Sequence, residues 1–481
     1  MTTNTTYIDY SSLVDDTPNR LSEEKSHYSL ITERHIQAVW LEQKYFRALK
    51  TTNNEPITVI SPGIWNSEAG PDFLKAHLQI GDRLVRGDVE IHLNDDGWVQ
   101  HGHHIDPRYD NVTLHVSLWN PRREHNITTS SGTVIACSHL QDHLTIPLAR
   151  IVNLIDLDLY PYRRFVGSGR CSRIVFGKMN NAQLNIFFHS AAQWRLKQKQ
   201  RHLASVIGDN TWQYAGGIAQ AVGYKHNSRA FLDLFCELLP FHDLPEEELL
   251  AIGMGACGFF ESSCEQRWGV STTYRNLQAL WWQHQPNTLF QLQLRLDHIR
   301  PLNHPVRRLA YLSKLLTDPA TPDLRQRLLY TWRSLWQPTP SKATERHLLA
   351  SLLTIVPVYK DPYWNSHYTF GEQTETSDIP LMGQPLKKEI LLNTGLPILY
   401  RDIAERSDPK EIAAFNAFYQ TIRATPSSKA KYLRQRLFGE QQKGRMLRSA
   451  SASQGALQLH RDFCIHYEAS CEGCPFIDKM T

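Results

Sequence analysis

The sequence predicts a two-part chain, an α+β domain followed by a mainly α-helical one. Three observations carry that reading. A helix-period segment near residue 32 precedes four short runs of strand character, the chain beyond residue 180 is almost wholly of helical period, and 481 residues with 41% hydrophobic and 21% charged side chains supply enough apolar material for packed cores.

Residues 1–28 are polar, rich in Thr, Ser and Asp, and lack a period, which predicts a flexible arm. Ile36, Val39, Trp40, Phe46 and Leu49 then fall near helical spacing and predict an amphipathic helix over 32–50. ITVI (57–60), LKAHLQI (74–80), LVRGDVEIHL (84–93) and NVTLHVSLWN (111–120) follow, each bounded by Gly, Pro, Asn or Asp, as strands are. These elements define an α+β domain over 29–165, left through the stretch LIDLDLYPYRRF. Helical segments separated by short Gly or Pro turns fill 175–455, and 456–481 reads as a cysteine-rich tail. Residues 427–454 carry seven Lys or Arg against one acid, a face that suits phosphates or simply water.

A net charge of +4 permits nucleic-acid contact without requiring it. The opening MTTNTTYIDYSSLVDD has neither a basic start nor an apolar run, and no stretch of 18 apolar residues follows, so a cytoplasmic protein with no membrane partner is expected. Eight cysteines in such a chain read as reduced thiols or metal ligands.

The chemistry concentrates in residues 66–115. Along a strand, Asp88, Glu90 and His92 share one face while Val89, Ile91 and Leu93 take the other. The second set suits a core. The first is a row of two acids and an imidazole, and a turn of suitable length would bring Asp72, 18 residues before Glu90, alongside it. Two convergent carboxylates repel each other unless a cation lies between them, so the pair predicts a Mg²⁺ or Mn²⁺ site, with His92 as a ligand or as the base that holds the attacking water. That outline fits metal-assisted phosphodiester hydrolysis.

The order helix, strand, Pro71-Asp72, strand, Glu90-x-His92 resembles the PD-(D/E)XK nuclease superfamily. The resemblance implies a restriction-endonuclease-like mixed sheet with flanking helices, with Asp72, Glu90 and the Ile91 backbone carbonyl on the metal. His92 stands where that superfamily has lysine, a departure that leaves a non-catalytic nucleic-acid-binding or scaffold protein as the alternative. The combination of NSEAGPDF, GDVEIH, YDNVTLHV, GYKHN and RPLNHPVRR also resembles an uncharacterised bacterial domain-of-unknown-function family, which implies no activity.

Residues 101–106, HGHHID, gather His101, His103, His104 and Asp106 in one polar loop. In a nuclease-like fold His104 or Tyr109 would touch substrate phosphate. A further alternative is a zinc-dependent hydrolase that uses this loop, because imidazole and carboxylate together suit Zn²⁺. In the helical half, Arg307 and Arg308 at a helix start are candidate substrate contacts, as is the basic and aromatic run Trp194, Arg195, Lys197, Lys199 and Arg201.

Cys464-x6-Cys471-x2-Cys474 is a metal-ligand spacing that lacks a fourth donor, with His460, His466, Cys257 and Cys264 as candidates for it. It is similar to the first three ligands of the iron–sulfur motif of the endonuclease III family, and to PD-(D/E)XK nucleases whose C-terminal cysteines join one upstream cysteine. These resemblances imply a [4Fe-4S] cluster, while spacing alone leaves Zn²⁺ open. The expected activity is hydrolysis of DNA or RNA.

Overall fold

The computed structural model describes residues 9–15, 31–66, 69–119, 127–155, 157, 160, 167–284, 292, 294, 296, 299–374, 378–439, 447–466, 471, 474 and 475–480. They form two compact units, one of residues 1–191, 427–447 and 455–481, the other of 192–426 and 448–454. Segments 427–447 and 455–481 therefore belong to the first unit, where the sequence suggested the end of a helical domain and a separate tail.

The first unit opens with α1 (Tyr10–Asp15), whose Tyr10 is fully buried against Phe187 and Phe463. This part of the expected arm is thus ordered by packing, while residues 1–8 and 16–30 lie outside the described ones. Helix α2 (Glu33–Glu42) starts at Thr32, whose amide donates to His35 Nδ1 at 3.2 Å, and stops at Gln43 in the left-handed region. It is shorter than the period suggests: Phe46 and Leu49 still enter the core, but from non-helical chain bridged at Phe46 to Leu144 and at Lys50 to Pro56.

A mixed sheet follows, built from β1 (Ile57–Ser61), β2 (Ile64–Trp65), β3 (Phe73–Ile80), β4 (Arg83–His92), β5 (Val112–Ser117) and β6 (Ala136–His139). The order is β1-β3-β4-β5-β6 with β2 on β3; β1, β3 and β4 pair antiparallel, whereas β5 and β6 continue parallel to β4. Helix α3 (Gly97–Gln100) and two short 3-10 turns occupy the β4–β5 crossover, and α4 (Leu148–Leu154) follows the sheet. Period 2 sorts the faces. Val89, Ile91, Phe73, Leu114 and Val116 join Ile36, Val39, Trp40 and Ile151 in one core, and a smaller cluster of Trp98, Tyr109, Val112, Ile127, Ile135 and Cys137 forms separately from it. Neither β2 nor β6 was legible as a strand, since both are short.

The second unit is helical. Helix α5 (Asn181–Val206) begins in the first unit and ends in the second, followed by α6 (Asn210–Val222), α7 (Tyr224–Leu238), α8 (Glu246–Ala256), α9 (Ser262–Trp268), α10 (Thr272–His284), α11 (Pro305–Thr317), α12 (Leu324–Leu335), α13 (Lys342–Thr354), α14 (Gln384–Ile390), α15 (Leu396–Arg406) and α16 (Pro409–Thr421). Their apolar stripes build one continuous core around Tyr214, Phe235, Leu309, Tyr311, Leu391 and Phe415. Helix α17 (Ser428–Phe438) returns to the first unit, as do α18 (Ala450–Asp462) over most of its length and α19 (Pro475–Met480). No helix among the described residues is long and apolar enough to cross a membrane.

Candidate metal centre

Glu90 lies at the middle of the candidate site. It sits near the end of β4, where alternation turns it away from the Val89 and Ile91 core, and it is 5% exposed. Its two carboxylate oxygens face different partners: Oε2 accepts from the Asp72 amide at 3.0 Å, while Oε1 lies 3.1 Å from His103 Nε2 and 3.7 Å from His92 Nε2.

Asp72 is held at the start of β3 by the Gly70-Pro71 turn. Gly70 takes a positive φ there, and Asn66 fastens the turn by donating its side-chain amide to the Pro71 carbonyl and its backbone amide to that of Asp72. Asp72 Oδ2 accepts from the Ile91 amide at 3.1 Å. The sequence-predicted pair is therefore brought together across β3 and β4. Because the His92 carbonyl accepts from Leu118 on the β5 side, its neighbour Ile91 turns its amide and carbonyl toward Asp72, the side on which the carbonyl was expected to act. Asp88, in the same row, has a structural task instead: its Oδ1 accepts from the amide of Lys75, which a β-bulge holds at positive φ.

A third acid joins this flank. Glu33, in the first turn of α2, is pushed up to about 7 by burial and by the neighbouring Asp72 carboxylate, against the pull of a hydrogen bond from the Leu93 backbone. Burial, the larger cause, favours the neutral carboxyl, and the Asp72 charge adds to it.

On the other flank stands a chain of imidazoles. His92 Nε2 lies 3.1 Å from His101 Nδ1, and His92 Nδ1 lies 2.8 Å from His115 Nε2. His115 Nδ1 and His139 Nε2 reach the two oxygens of Asp95 at 3.8 and 3.7 Å. The parallel register explains the assembly, since it sets Glu90 beside His115 and His115 beside Cys137, with His139 two residues on. His92, His101 and His103 present nitrogens that all lie within 4.8 Å of one another, and two of the three rings are buried.

Burial above all, then the other rings, keeps His92 well below its ordinary range, His103 at about 4 and His115 at about 3; burial also lowers His101. At neutral pH these rings are neutral lone-pair donors, as metal ligands must be. Gly97 permits the packing, because a Cβ there would come within 2.6 Å of the His92 ring.

Several expected roles change. His92 has both nitrogens engaged and is 1% exposed, so it suits a ligand better than a base on free water. Tyr109 is buried with its ring stacked on His103, the centroids 3.8 Å apart, where an exposed phosphate contact was expected. His104 is half-buried in the same turn and stands outside the three-histidine group. Asp106 caps the following turn and pairs with Arg108 on the surface.

Arg307 and Arg308 belong to the second unit and are 1% and 4% exposed. Arg307 donates to the carbonyls of Trp364, His367, Ile379 and Pro380, and Arg308 to those of Leu381 and Leu302 and to Asn303 Oδ1. They staple loops and leave no guanidinium for a substrate. Arg195, in the basic run of α5, is likewise buried and donates to Gln454.

The C-terminal cysteines converge as their spacing suggests, and with an unexpected partner. Cys464, Cys471 and Cys474 line one cavity together with Cys171, Arg436, Leu459, Phe463, Phe476 and Ile477. His460 is fully buried and does not line it, and the side chain of His466 lies outside the described residues. Cys257 and Cys264 belong to the second unit.

A family model matches residues 33–427, most of the chain. The chain belongs to the family described as Protein of unknown function (DUF2851). The matched span begins at Glu33 and includes Asp72, Glu90, the imidazole chain and Cys171, and it ends before the three C-terminal cysteines. No curated protein and no solved structure matches the chain.

Proposed function

We propose that this protein is a metal-dependent hydrolase of phosphodiester bonds in DNA or RNA, with its ion held by Glu90, His92, His101 and His103 and flanked by Asp72 and Glu33. The observation that carries the reading is the division of Glu90, one oxygen turned to the Asp72 strand and the other to the imidazoles. An acidic flank and a neutral nitrogen flank meeting at one carboxylate form a donor set without positive charge of its own. The mixture of nitrogen and oxygen suits Mn²⁺ or Zn²⁺ better than Mg²⁺.

The order α2, antiparallel β1, β3 and β4, then parallel β5 supports the substrate class, because it resembles the PD-(D/E)XK arrangement with Pro71-Asp72 and Glu90-x-His92 at the expected strands. A divalent ion held there would acidify a bound water, and Glu33, beside Asp72 on the acidic flank, would be a carboxyl placed to receive that proton. His115 and Asp95 orient His92, as outer partners of a ligating histidine do. His101 is the exposed member of the three and forms the mouth of the site.

The test is cleavage of single- and double-stranded DNA and RNA by the purified full chain with Mn²⁺, Zn²⁺ or Mg²⁺. Mn²⁺-dependent cleavage that disappears in Glu90→Gln is expected. Failure to cleave any of these polymers with any of the three ions sinks the nuclease reading. The three-histidine group also favours a second reading, a zinc hydrolase of another ester class. Zinc that survives gel filtration and leaves in His101→Ala, in a protein inert toward nucleic acid, would select it.

A further inference from the structure

We infer that Cys171, Cys464, Cys471 and Cys474 hold a [4Fe-4S] cluster, with Cys171 as the ligand that the C-terminal spacing lacks. This does not rest on the nuclease reading, since none of these residues belongs to the Glu90 site.

Three pieces of chain, far apart in sequence, meet at one cavity of the first unit. Gly169 brings the first: its amide donates to the Arg436 carbonyl at 2.7 Å, and a Cβ there would stand 3.3 Å from that carbonyl oxygen and 3.5 Å from Cys471 Sγ. Cys171 follows two residues later, just before the π-turn Ser172–Phe176. Cys464 follows α18, and Cys474 immediately precedes α19. Cys471 has a φ of 58°, a left-handed conformation that a non-glycine residue adopts at a cost, and one that tertiary structure must hold in place.

The number of thiols and the lining of the cavity favour a cluster over a single zinc ion. Around one zinc ion, with Zn–S near 2.3 Å, tetrahedral geometry places every pair of sulfurs about 3.8 Å apart. Among the described residues no three of these thiols lie mutually within 4.8 Å. A cubane carries its four ligands on four separate irons and so spreads the sulfurs over a larger body. The remaining lining of Leu459, Phe463, Phe476 and Ile477 is apolar, which keeps water from the inorganic sulfides.

Arg436 supplies the matching charge. It is 1% exposed and donates Nη2 to Cys471 Sγ at 3.2 Å and Nη1 to the Tyr432 hydroxyl at 2.9 Å. A guanidinium against a ligand sulfur offsets the negative charge of four thiolates, and N–H···S bonds of this kind raise a cluster's potential.

The experiment is anaerobic purification of the full chain, reconstituted with iron and sulfide, followed by iron, zinc and acid-labile sulfide analysis and visible and EPR spectra. About four irons and four sulfides per chain are expected, with a broad visible absorption that dithionite bleaches. Cys171→Ser should lose most of that iron, as Cys464→Ser should, while Cys257→Ser keeps it. Should the Cys171 variant fail to fold, alkylation of the native holoprotein replaces it: Cys171, Cys464, Cys471 and Cys474 are expected to be protected together until iron is chelated. One zinc per chain without iron, full iron in Cys171→Ser, or a Cys171 that alkylates freely in the iron-loaded protein would overturn the assignment.

Discussion

The Asp72 amide donates to Glu90 at 3.0 Å while the Asp72 carboxylate accepts from Ile91 at 3.1 Å, so the two candidate acids position each other through backbone as well as charge. The isosteric substitutions remove different charges and keep the backbone bonds. Glu90→Gln keeps an oxygen for the Asp72 amide and removes the charge that faces His103. Asp72→Asn can still accept from Ile91 while removing the charge beside Glu33. Both variants should keep the fold, with melting temperatures close to that of the parent, and each should lower Mn²⁺-dependent cleavage by about 10²-fold or more in steady-state assays.

His115 Nε2 lies 2.8 Å from Nδ1 of the proposed ligand His92. His115→Phe fills the space without the hydrogen bond. Its expected effect is a fall of about 10–100-fold in metal affinity, read by competition with a chelating dye, since it removes an outer partner of a ligand. Unchanged affinity would reduce His115 to core filling.

Gly97→Ala tests the closeness of α3 to the site. With a Cβ 2.6 Å from the His92 ring, either the ring or the helix must move. A loss of about 1–3 kcal/mol in denaturant unfolding is expected, accompanied by weaker metal binding. Gly371→Ala, where φ is not positive and the added Cβ meets nothing within 4 Å, is the control and should leave both readouts unchanged.

The buried imidazoles set a pH dependence for the metal-free protein. Above about 6.5, folded and unfolded chains both hold His92, His103, His115 and His304 neutral. Below 6.5 the unfolded chain binds protons that the folded one refuses, down to about 4 for His103 and His304 and about 3 for His115. Stability from these groups is thus complete above 6.5 and lost as pH falls. Glu33 acts in the opposite sense, contributing fully below about 4.5 and losing its part as pH rises through about 7. Four imidazoles outweigh one carboxyl, so urea midpoints should fall steadily from pH 6.5 to pH 4.

Arg307→Met separates a staple from a substrate contact. It strips four carbonyls of one shared donor and should destabilise the protein by about 3 kcal/mol or more. Nucleic-acid affinity, measured at a temperature where the variant is folded, should not change.

The period-2 pattern made the β4 faces legible, because Val89 and Ile91 needed a core and Glu90 and His92 could not share it. Gly70-Pro71-Asp72 was legible as well, since a turn of that length allows one antiparallel return. Glu33 was not, because nothing local says that the first turn of α2 ends beside Leu93. His115, Asp95 and His139 depend on a parallel register that β4, β5 and β6 settle only together. Cys171 is a lone cysteine in its own neighbourhood, and three-dimensional convergence alone marks it. Arg307 and Arg308 misled for the converse reason: a basic pair at a helix start looks solvated until the carbonyls of 364–381 fold over it.

The segment beyond residue 455 belongs to the first unit, along with the 427–447 stretch. During synthesis the sheet and its acidic flank leave the ribosome early, yet the helices that complete their unit emerge only after the whole intervening helical body has been made. A chain that stops before Cys464 would therefore carry the whole sheet and yet lack part of the packing of the unit that holds it, Ile465 of the sheet's own core included.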